Sequence, residues 1–262
     1  MTNGIIYSRG GLCMLAYINN QDLRGKALVD LYEEAGKEVT TLRSKIGEVD
    51  LSYVGLRGNT YEKEHFKTGS RVYTLINNET LATHCKKTNV HYDYLYKDHD
   101  LVEGNTHLTT EALIAYIVMN NPISIIHSNI LIIGYGNCGK DIAKKMKALQ
   151  ANVHVTNRGT HYQETVKKDG YHFVSLDILD LHKFDFVINT VPYPLLNTAI
   201  INTKKSTCKI YDLASYPYGL KEEDRCNHYY ILGSLPAKYA YKSAAKLIYK
   251  AIIKKEEIYV KK

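Results

Sequence analysis

Residues 131–158, LIIGYGNCGKDIAKKMKALQANVHVTNR, place Gly134, Gly136 and Gly139 in the rhythm G-x-G-x-x-G. Each glycine has a separate task in a phosphate-binding turn. Gly134 permits a tight bend after an apolar strand, Gly136 lets the backbone approach a pyrophosphate, and Gly139 lets the following helix pack closely on the strand. Tyr135, Asn137 and Cys138 fill the pattern and place backbone N–H groups at the helix N-terminus, where unpaired amides and the helix dipole favour an anion. Alone, this pattern is a weak signal. Between an apolar strand and a lysine-faced helix, with a second strand at the right distance, it points to a dinucleotide.

The end of that second strand bears on which dinucleotide. A site for NAD places Asp or Glu there, to hydrogen-bond the ribose 2′-hydroxyl. This chain has Asn157 and Arg158 instead. Asn157 carries no charge to repel a 2′-phosphate, and Arg158 can pair with one through charge-assisted hydrogen bonds. His154, Thr160 and His161 lie close in sequence. NADP rather than NAD is the expected cofactor.

Two further segments end apolar runs with polar or turn-forming residues. VINTVP brings Asn189, Thr190, Val191 and Pro192 to the end of one strand, and YDLAS brings Ala214 and Ser215 to the end of another. In a parallel sheet both face the edge at which ligands bind. Asn, Thr, Ser and Pro are also ordinary turn formers, so these residues have a purely structural use as well.

The elements that must position these residues follow from periodicity. Short apolar or aromatic runs recur at 129–133, 153–156, 171–174, 184–189, 209–213 and 229–232, with amphipathic helical stretches between several of them. Alternation of this kind predicts a parallel sheet built from right-handed βαβ units. In KDIAKKMKAL the residues Ile142, Ala143, Met146 and Leu149 share one face. KYAYKSAAKLIYKAIIKKEE reads as a long closing helix, with a stripe through Ala244, Leu247, Ile248, Ala251 and Ile252.

The first hundred residues read as a smaller α/β unit. Strands are expected at LCMLAYI, KEVTTL, VDLSYVGL, RVYTLI and HYDYLY, with helices at RGKALVDLYEEAG and NETLATHCKKT. Asn19, Asn20 and Gln21 follow its first strand, where a nucleotide unit would carry glycines. TEALIAYIVMNN predicts a linking helix, capped by Thr109 or Thr110 and ended by Pro122. The boundary is placed near Gly104, giving domains 1–104 and 105–262, the second including the closing helix. Which half that helix packs on is open at this level.

Composition narrows the class. The 262 residues carry a net charge of +7 spread along the chain, with both signs interleaved in KKEEIYVKK, so no nucleic-acid-binding tail is expected. Five scattered cysteines with no C-x-x-C pair suggest neither a disulfide framework nor a metal site. The N-terminus lacks a signal-peptide pattern and ALIAYIVM is too short to cross a bilayer. A cytoplasmic protein with no membrane segment is expected.

The chain resembles the dipicolinate synthase family, in its NADP-dependent A component, through YKDHDLVEGNTHLTTEALI, the fingerprint stretch, DFVINTVP, IYDLAS and LPAKYAYKSAAKLI. The glycine fingerprint is common to many families, but the succession INTVP, DLAS-x-P and LP…A-x-K-[ST]-A is far more specific. The resemblance implies a Rossmann domain beside a smaller flavodoxin-like domain, similar in shape to the D-2-hydroxyacid dehydrogenases. It further implies NADP-dependent oxidation of a dihydrodipicolinate-type product of the lysine pathway, a small dicarboxylate, to dipicolinate, which accumulates in bacterial endospores. Homo-oligomeric assembly and a flavoprotein-like B subunit come with it.

Carried onto this sequence, the family pattern assigns Lys242 and Ser243 as carboxylate receptors and Thr109 as a substrate contact. Ser215 becomes a second anion contact with a catalytic part, Lys242 shares that part, and Glu111 serves as base or orients a lysine. His107 is a further acid/base candidate, though the family pattern lacks it. Three departures stand out: Tyr216-Pro217-Tyr218-Gly219 replaces Lys-Pro-Gly-Gly, Gly233-Ser234-Leu235-Pro236-Ala237 replaces Pro-Gly-Leu-Pro-Gly, and Ala112 replaces a glycine. They leave two alternatives: an enzyme acting on a D-2-hydroxy acid, with Arg225 and His228 as candidates, and a non-catalytic nucleotide sensor.

Overall fold

The computed structural model describes residues 14–260, so Leu12 and Cys13 of the expected first strand lie outside the described residues. Buried β-branched and aromatic runs form two all-parallel sheets, one in each half of the chain.

In the first half the elements are β1 (Ala16–Ile18), α1 (Leu23–Glu34), β2 (Val39–Thr40), β3 (Leu51–Gly55), β4 (Arg71–Thr74), α2 (Glu79–Lys87) and β5 (His91–Tyr94). The sheet order is β2-β1-β3-β4-β5, the doubly wound order of flavodoxin-like units. Side-chain caps start the helices: the Asp22 carboxylate accepts from the Gly25 amide at 2.9 Å, and the Asn78 carbonyl accepts from Leu81 at 2.8 Å. Gly36, at φ +67°, follows the C-terminus of α1 in the left-handed conformation typical of helix ends.

The linking helix α3 (His99–Asn120) is a full 22 residues and begins eleven residues before the expected TEALIAYIVMNN. Asp98 supplies the cap, accepting from the Leu101 amide at 3.0 Å. Thr109 and Thr110 are therefore interior residues, and the buried Thr110 hydroxyl donates back to the Thr106 carbonyl. Gly104 does not break the helix. A Cβ there would sit 2.7 Å from both methyls of Leu247, so the glycine serves close helix packing, which outweighs its propensity cost of about 1 kcal/mol.

The second half contains β6 (Asn129–Ile133), α4 (Asn137–Ala148), β7 (Asn152–Thr156), α5 (Gln163–Lys168), β8 (His172–Phe173), β9 (Phe186–Asn189), α6 (Thr198–Asn202), β10 (Lys209–Asp212), β11 (Tyr229–Ile231) and α7 (Leu235–Tyr239). Its order, β11-β10-β9-β6-β7-β8, is the dinucleotide-binding arrangement, with β6 at the centre and its residues 130–133 fully buried.

The chain divides into two compact units, 1–105 with 240–262, and 106–239. The closing helix α8 (Tyr241–Val260) thus belongs with the first unit, a correction to its assignment with the nucleotide-binding half. Its apolar stripe decides this: Ala245, Ile248, Ala251 and Ile252 are buried in one core with Ile18, Leu28 and Tyr32. Polar contacts fasten the far end. Glu256 accepts from the Tyr73 hydroxyl at 2.5 Å and pairs with Arg71 at 2.8 Å, while Lys254 pairs with Asp98 at 3.0 Å.

Candidate nucleotide-binding site

Register brings the ends of four strands to one edge of the second sheet. Ile133 pairs with Thr156 on one side and Asn189 on the other, and Asn189 pairs with Asp212. The chain leaves the sheet at Gly134, Asn157, Thr190 and Leu213, all along that edge.

The glycine turn divides into two kinds of position. Gly134 adopts φ +100°, and a Cβ on it would strike the Thr190 hydroxyl and lie 2.7 Å from a Val191 methyl. A Cβ on Gly139 would strike the Gly134 carbonyl oxygen. Both are glycine for reasons internal to the fold. Gly136 is not: it has φ −82° and ψ −166°, open to any residue, and a Cβ there would meet nothing within 4 Å. The room beside Gly136 is what close approach of a pyrophosphate needs.

The start of α4 fits the same ligand. Gly136 is its N-cap, no side chain caps it, and no acidic residue lies in the first turn. The first amides of the helix therefore retain donor capacity for an anion. Tyr135 contributes backbone alone, since its buried ring turns inward and its hydroxyl donates to Asp169 at 2.6 Å. Asn137 is exposed and Cys138 half-buried. Burial, with Asp141 nearby, pushes the Cys138 thiol up to about 12.

At the end of β7, the Asn157 side-chain oxygen accepts from the Arg158 amide at 2.8 Å. Arg158 is exposed, its guanidinium carbon 5.1 Å from the centroid of the Tyr193 ring. His154 lies elsewhere, stacked on His172 and against Phe184. Burial, with His172 and Lys183 nearby, lowers its pKa.

At the ends of β9 and β10 the structure reassigns residues. Asn189 is fully buried and is not available to a ribose. It donates to the Val191 carbonyl at 3.0 Å and to Asp212 at 2.9 Å, and it accepts from the Val191 amide at 3.1 Å. The Thr190 hydroxyl donates to the Ile133 carbonyl at 2.9 Å and covers the glycine turn together with Val191. Pro192 is exposed. Ala214 is buried, and its amide donates to Asp212 at 2.9 Å.

Asp212 organises the next loop. Its fully buried carboxylate accepts from Asn189, from the amides of Ala214 and Gly219, and from the Tyr229 hydroxyl. Gly219 has no room for a side chain: a Cβ would lie 2.7 Å from the Asn189 amide carbon. Burial and the bond to Asp212 raise the pKa of Tyr229. The sequence signal for this organising role is a carboxylate at the end of the buried run KIYDL.

The residues given to substrate divide between the units. Ser215, Thr109 and Glu111 lie in unit 106–239, while Lys242 and Ser243, both in the first turn of α8, belong to the other unit. Ser215 and Glu111 are exposed and Thr109 is half-buried. His107 bonds to Asp141 at 2.9 Å, Lys145 to the same carboxylate at 2.7 Å, and so the histidine serves a polar staple between α3 and α4. Two departures from the family pattern keep a backbone suited to glycine: Tyr218, at φ +70°, and Ser234, at φ +57°. Ala112 is a buried residue inside α3. Among the described residues no group of three His, Cys, Asp or Glu could hold a metal ion, and no helix is long and apolar enough to cross a membrane.

Residues 117–207 match the family model for the NAD-binding domain of D-isomer specific 2-hydroxyacid dehydrogenases. The second unit thus carries a Rossmann-type, dehydrogenase-class nucleotide-binding domain, and a nicotinamide dinucleotide is the cofactor it indicates. Among curated proteins, the chain is 29% identical over 143 residues to the dipicolinate synthase A polypeptide of Bacillus subtilis, across 54% of this chain and 47% of that one. The match therefore spans about half of that relative's length. The solved structure of the same Bacillus subtilis polypeptide superposes with a TM-score of 0.78 at 19% identity, covering 96% of this chain and 98% of that one. D-lactate dehydrogenase from Escherichia coli gives a TM-score of 0.62 at 13% identity, covering 95% and 97%. The two-domain fold is that of these proteins.

Proposed function

We propose that the protein is an NADP-dependent oxidoreductase of the dipicolinate synthase A type. The observation that carries this is the pairing of an open, uncapped glycine turn at Gly136 with Arg158 at the strand end that would hold an acid in an NAD site. Arg158 would hold the adenosine 2′-phosphate, and the first-turn amides of α4 would hold the pyrophosphate. The substrate is a dihydropyridine dicarboxylate related to the product of the lysine pathway. A bound NADP would supply the hydride acceptor for its oxidation, with the proton passing to solvent or base, so that the aromatic dicarboxylate and NADPH would result.

This protein's part in that step is placement and charge. Within the nucleotide-binding unit Ser215 is the anion contact and Thr109 and Glu111 are further substrate contacts, and in the first unit Lys242 and Ser243 at the start of α8 are the carboxylate receptors. A flavoprotein-like B subunit is the expected partner, and the expected setting is the cytoplasm of a spore-forming cell.

Thermal shift with NADP and NAD, followed by an absorbance assay for reduced nicotinamide with the lysine-pathway product, tests the reading. A larger shift with NADP is expected, diminished in Arg158→Ala, together with substrate-dependent NADPH formation. Bound nucleotide without turnover on the dicarboxylate overturns the substrate assignment. Turnover on a D-2-hydroxy acid instead favours the dehydrogenase whose family model matches.

A further inference from the structure

We infer that Tyr193 is a specificity-determining residue, which holds the Arg158 guanidinium ready for the 2′-phosphate and so sets the preference for NADP over NAD. The inference rests on the NADP reading and adds a second residue to it. Arg158 follows β7 and Tyr193 follows β9, the two strands that flank β6 and its glycine turn. The guanidinium carbon lies 5.1 Å from the ring centroid, inside cation–π range, so the two side chains join the loops on either side of that turn. Tyr193 is 51% exposed, so the core does not account for its presence.

The pairing has a particular consequence for charge. Among the described residues no carboxylate pairs with Arg158, so the ring confines the cation without neutralising it. A carboxylate partner would compete with the ligand for the N–H fork, whereas an aromatic ring engages the charge and supplies no oxygen acceptor. Ordering a long free arginine on a phosphate costs rotamer entropy, and a guanidinium already confined costs less. Only a ligand with a 2′-phosphate gains from this.

The test is titration of the full chain with NADP and with NAD, by calorimetry, for native protein, Tyr193→Phe, Tyr193→Leu, Arg158→Ala and the double variant Tyr193→Leu/Arg158→Ala. Tyr193→Leu is expected to weaken NADP about 2–5-fold, the value of an exposed cation–π contact, with NAD affinity unchanged. Tyr193→Phe retains the native ratio because the ring persists, and the double variant matches Arg158→Ala. An equal loss for both nucleotides in Tyr193→Leu overturns the inference, because the ring would then be stacking on the adenine they share. No change for either nucleotide overturns it as well. If Arg158→Ala leaves the ratio at its native value, the 2′-phosphate assignment itself fails, and Tyr193 fails with it.

Discussion

Replacing Gly136 by Asp separates the demands of the fold from those of the ligand. The position has φ −82° and ψ −166°, and an added Cβ meets nothing within 4 Å, so the side chain enters without strain. Aspartate is a strong N-cap, and relief of glycine's unfolded-state entropy stabilises by about 0.4–1 kcal/mol, so the melting temperature should hold or rise slightly. For the nucleotide the change is severe. The carboxylate takes the amides of the first turn and sets a negative charge where the pyrophosphate would lie. Two like charges 4 Å apart repel by about 4 kcal/mol near a protein surface, and salt reduces this to about 2.7 kcal/mol, a roughly 100-fold loss of affinity. With NADP at about 100 times its native Kd, stabilisation falls from about 2.7 to about 0.4 kcal/mol, and the melting shift from roughly 5–11 °C to roughly 1–2 °C.

Differential scanning fluorimetry with and without NADP reads both quantities, and Gly139→Ala supplies the contrast. Its Cβ collides with the Gly134 carbonyl oxygen, so about 1–3 kcal/mol of overpacking should lower the melting temperature before any ligand is added. Two results refute the reasoning. A full nucleotide shift in Gly136→Asp means the phosphates do not lie at this helix start. A melting temperature several degrees lower without nucleotide means the fold itself requires that glycine.

Three further outcomes are expected. Asp212→Asn should cost about 3 kcal/mol, because four donors converge on its buried carboxylate, and a thermal melt would show a fall of roughly 6–12 °C. Burial opposes ionisation of Asp141, but the hydrogen bond from Lys145 and the charge of Lys145 outweigh it and hold its pKa low. Its contribution is therefore present above about pH 4 and lost as pH falls through the depressed folded value. Urea melts should show Asp141→Asn destabilised by about 1–2 kcal/mol at pH 7 and close to native in strong acid. With its pKa near 12, Cys138 is about 10⁻⁴ thiolate at pH 8, so peptide-resolved alkylation should proceed about a thousandfold more slowly than at a free thiol. Ordinary labelling kinetics in the native chain would contradict that burial.

The nucleotide unit was legible from residues alone because its determinants are local. A run of buried strand residues, three glycines at fixed spacing and an amphipathic helix each act within a few residues of one another, and β6, the turn and α4 stand where their patterns put them. The missing acid at Asn157-Arg158 is likewise a local fact. The start of α3 is not legible locally: Thr109 and Thr110 are both of a type that caps a helix, yet a threonine hydroxyl also bonds back inside one, as that of Thr110 does, and Gly104 resembles a break although it packs against Leu247.

What tertiary structure alone decided depends on partners distant in sequence. Asn189 ends a strand at the ligand-binding edge, but Asp212 takes its donor across the sheet, and Asp212 gains its role from the amides of Ala214 and Gly219 and a hydroxyl 17 residues away. The closing helix shows a stripe that any apolar surface could cover, and only the packing of Ala245, Ile248 and Ile252 beside Ile18 and Leu28 selects the first unit. Tyr193 carries no motif at all. Spacing along the chain determines which groups one turn can present, whereas burial and hydrogen-bond partners arise when the sheet brings separate strand ends together, and these settle which side chains stay free for a ligand.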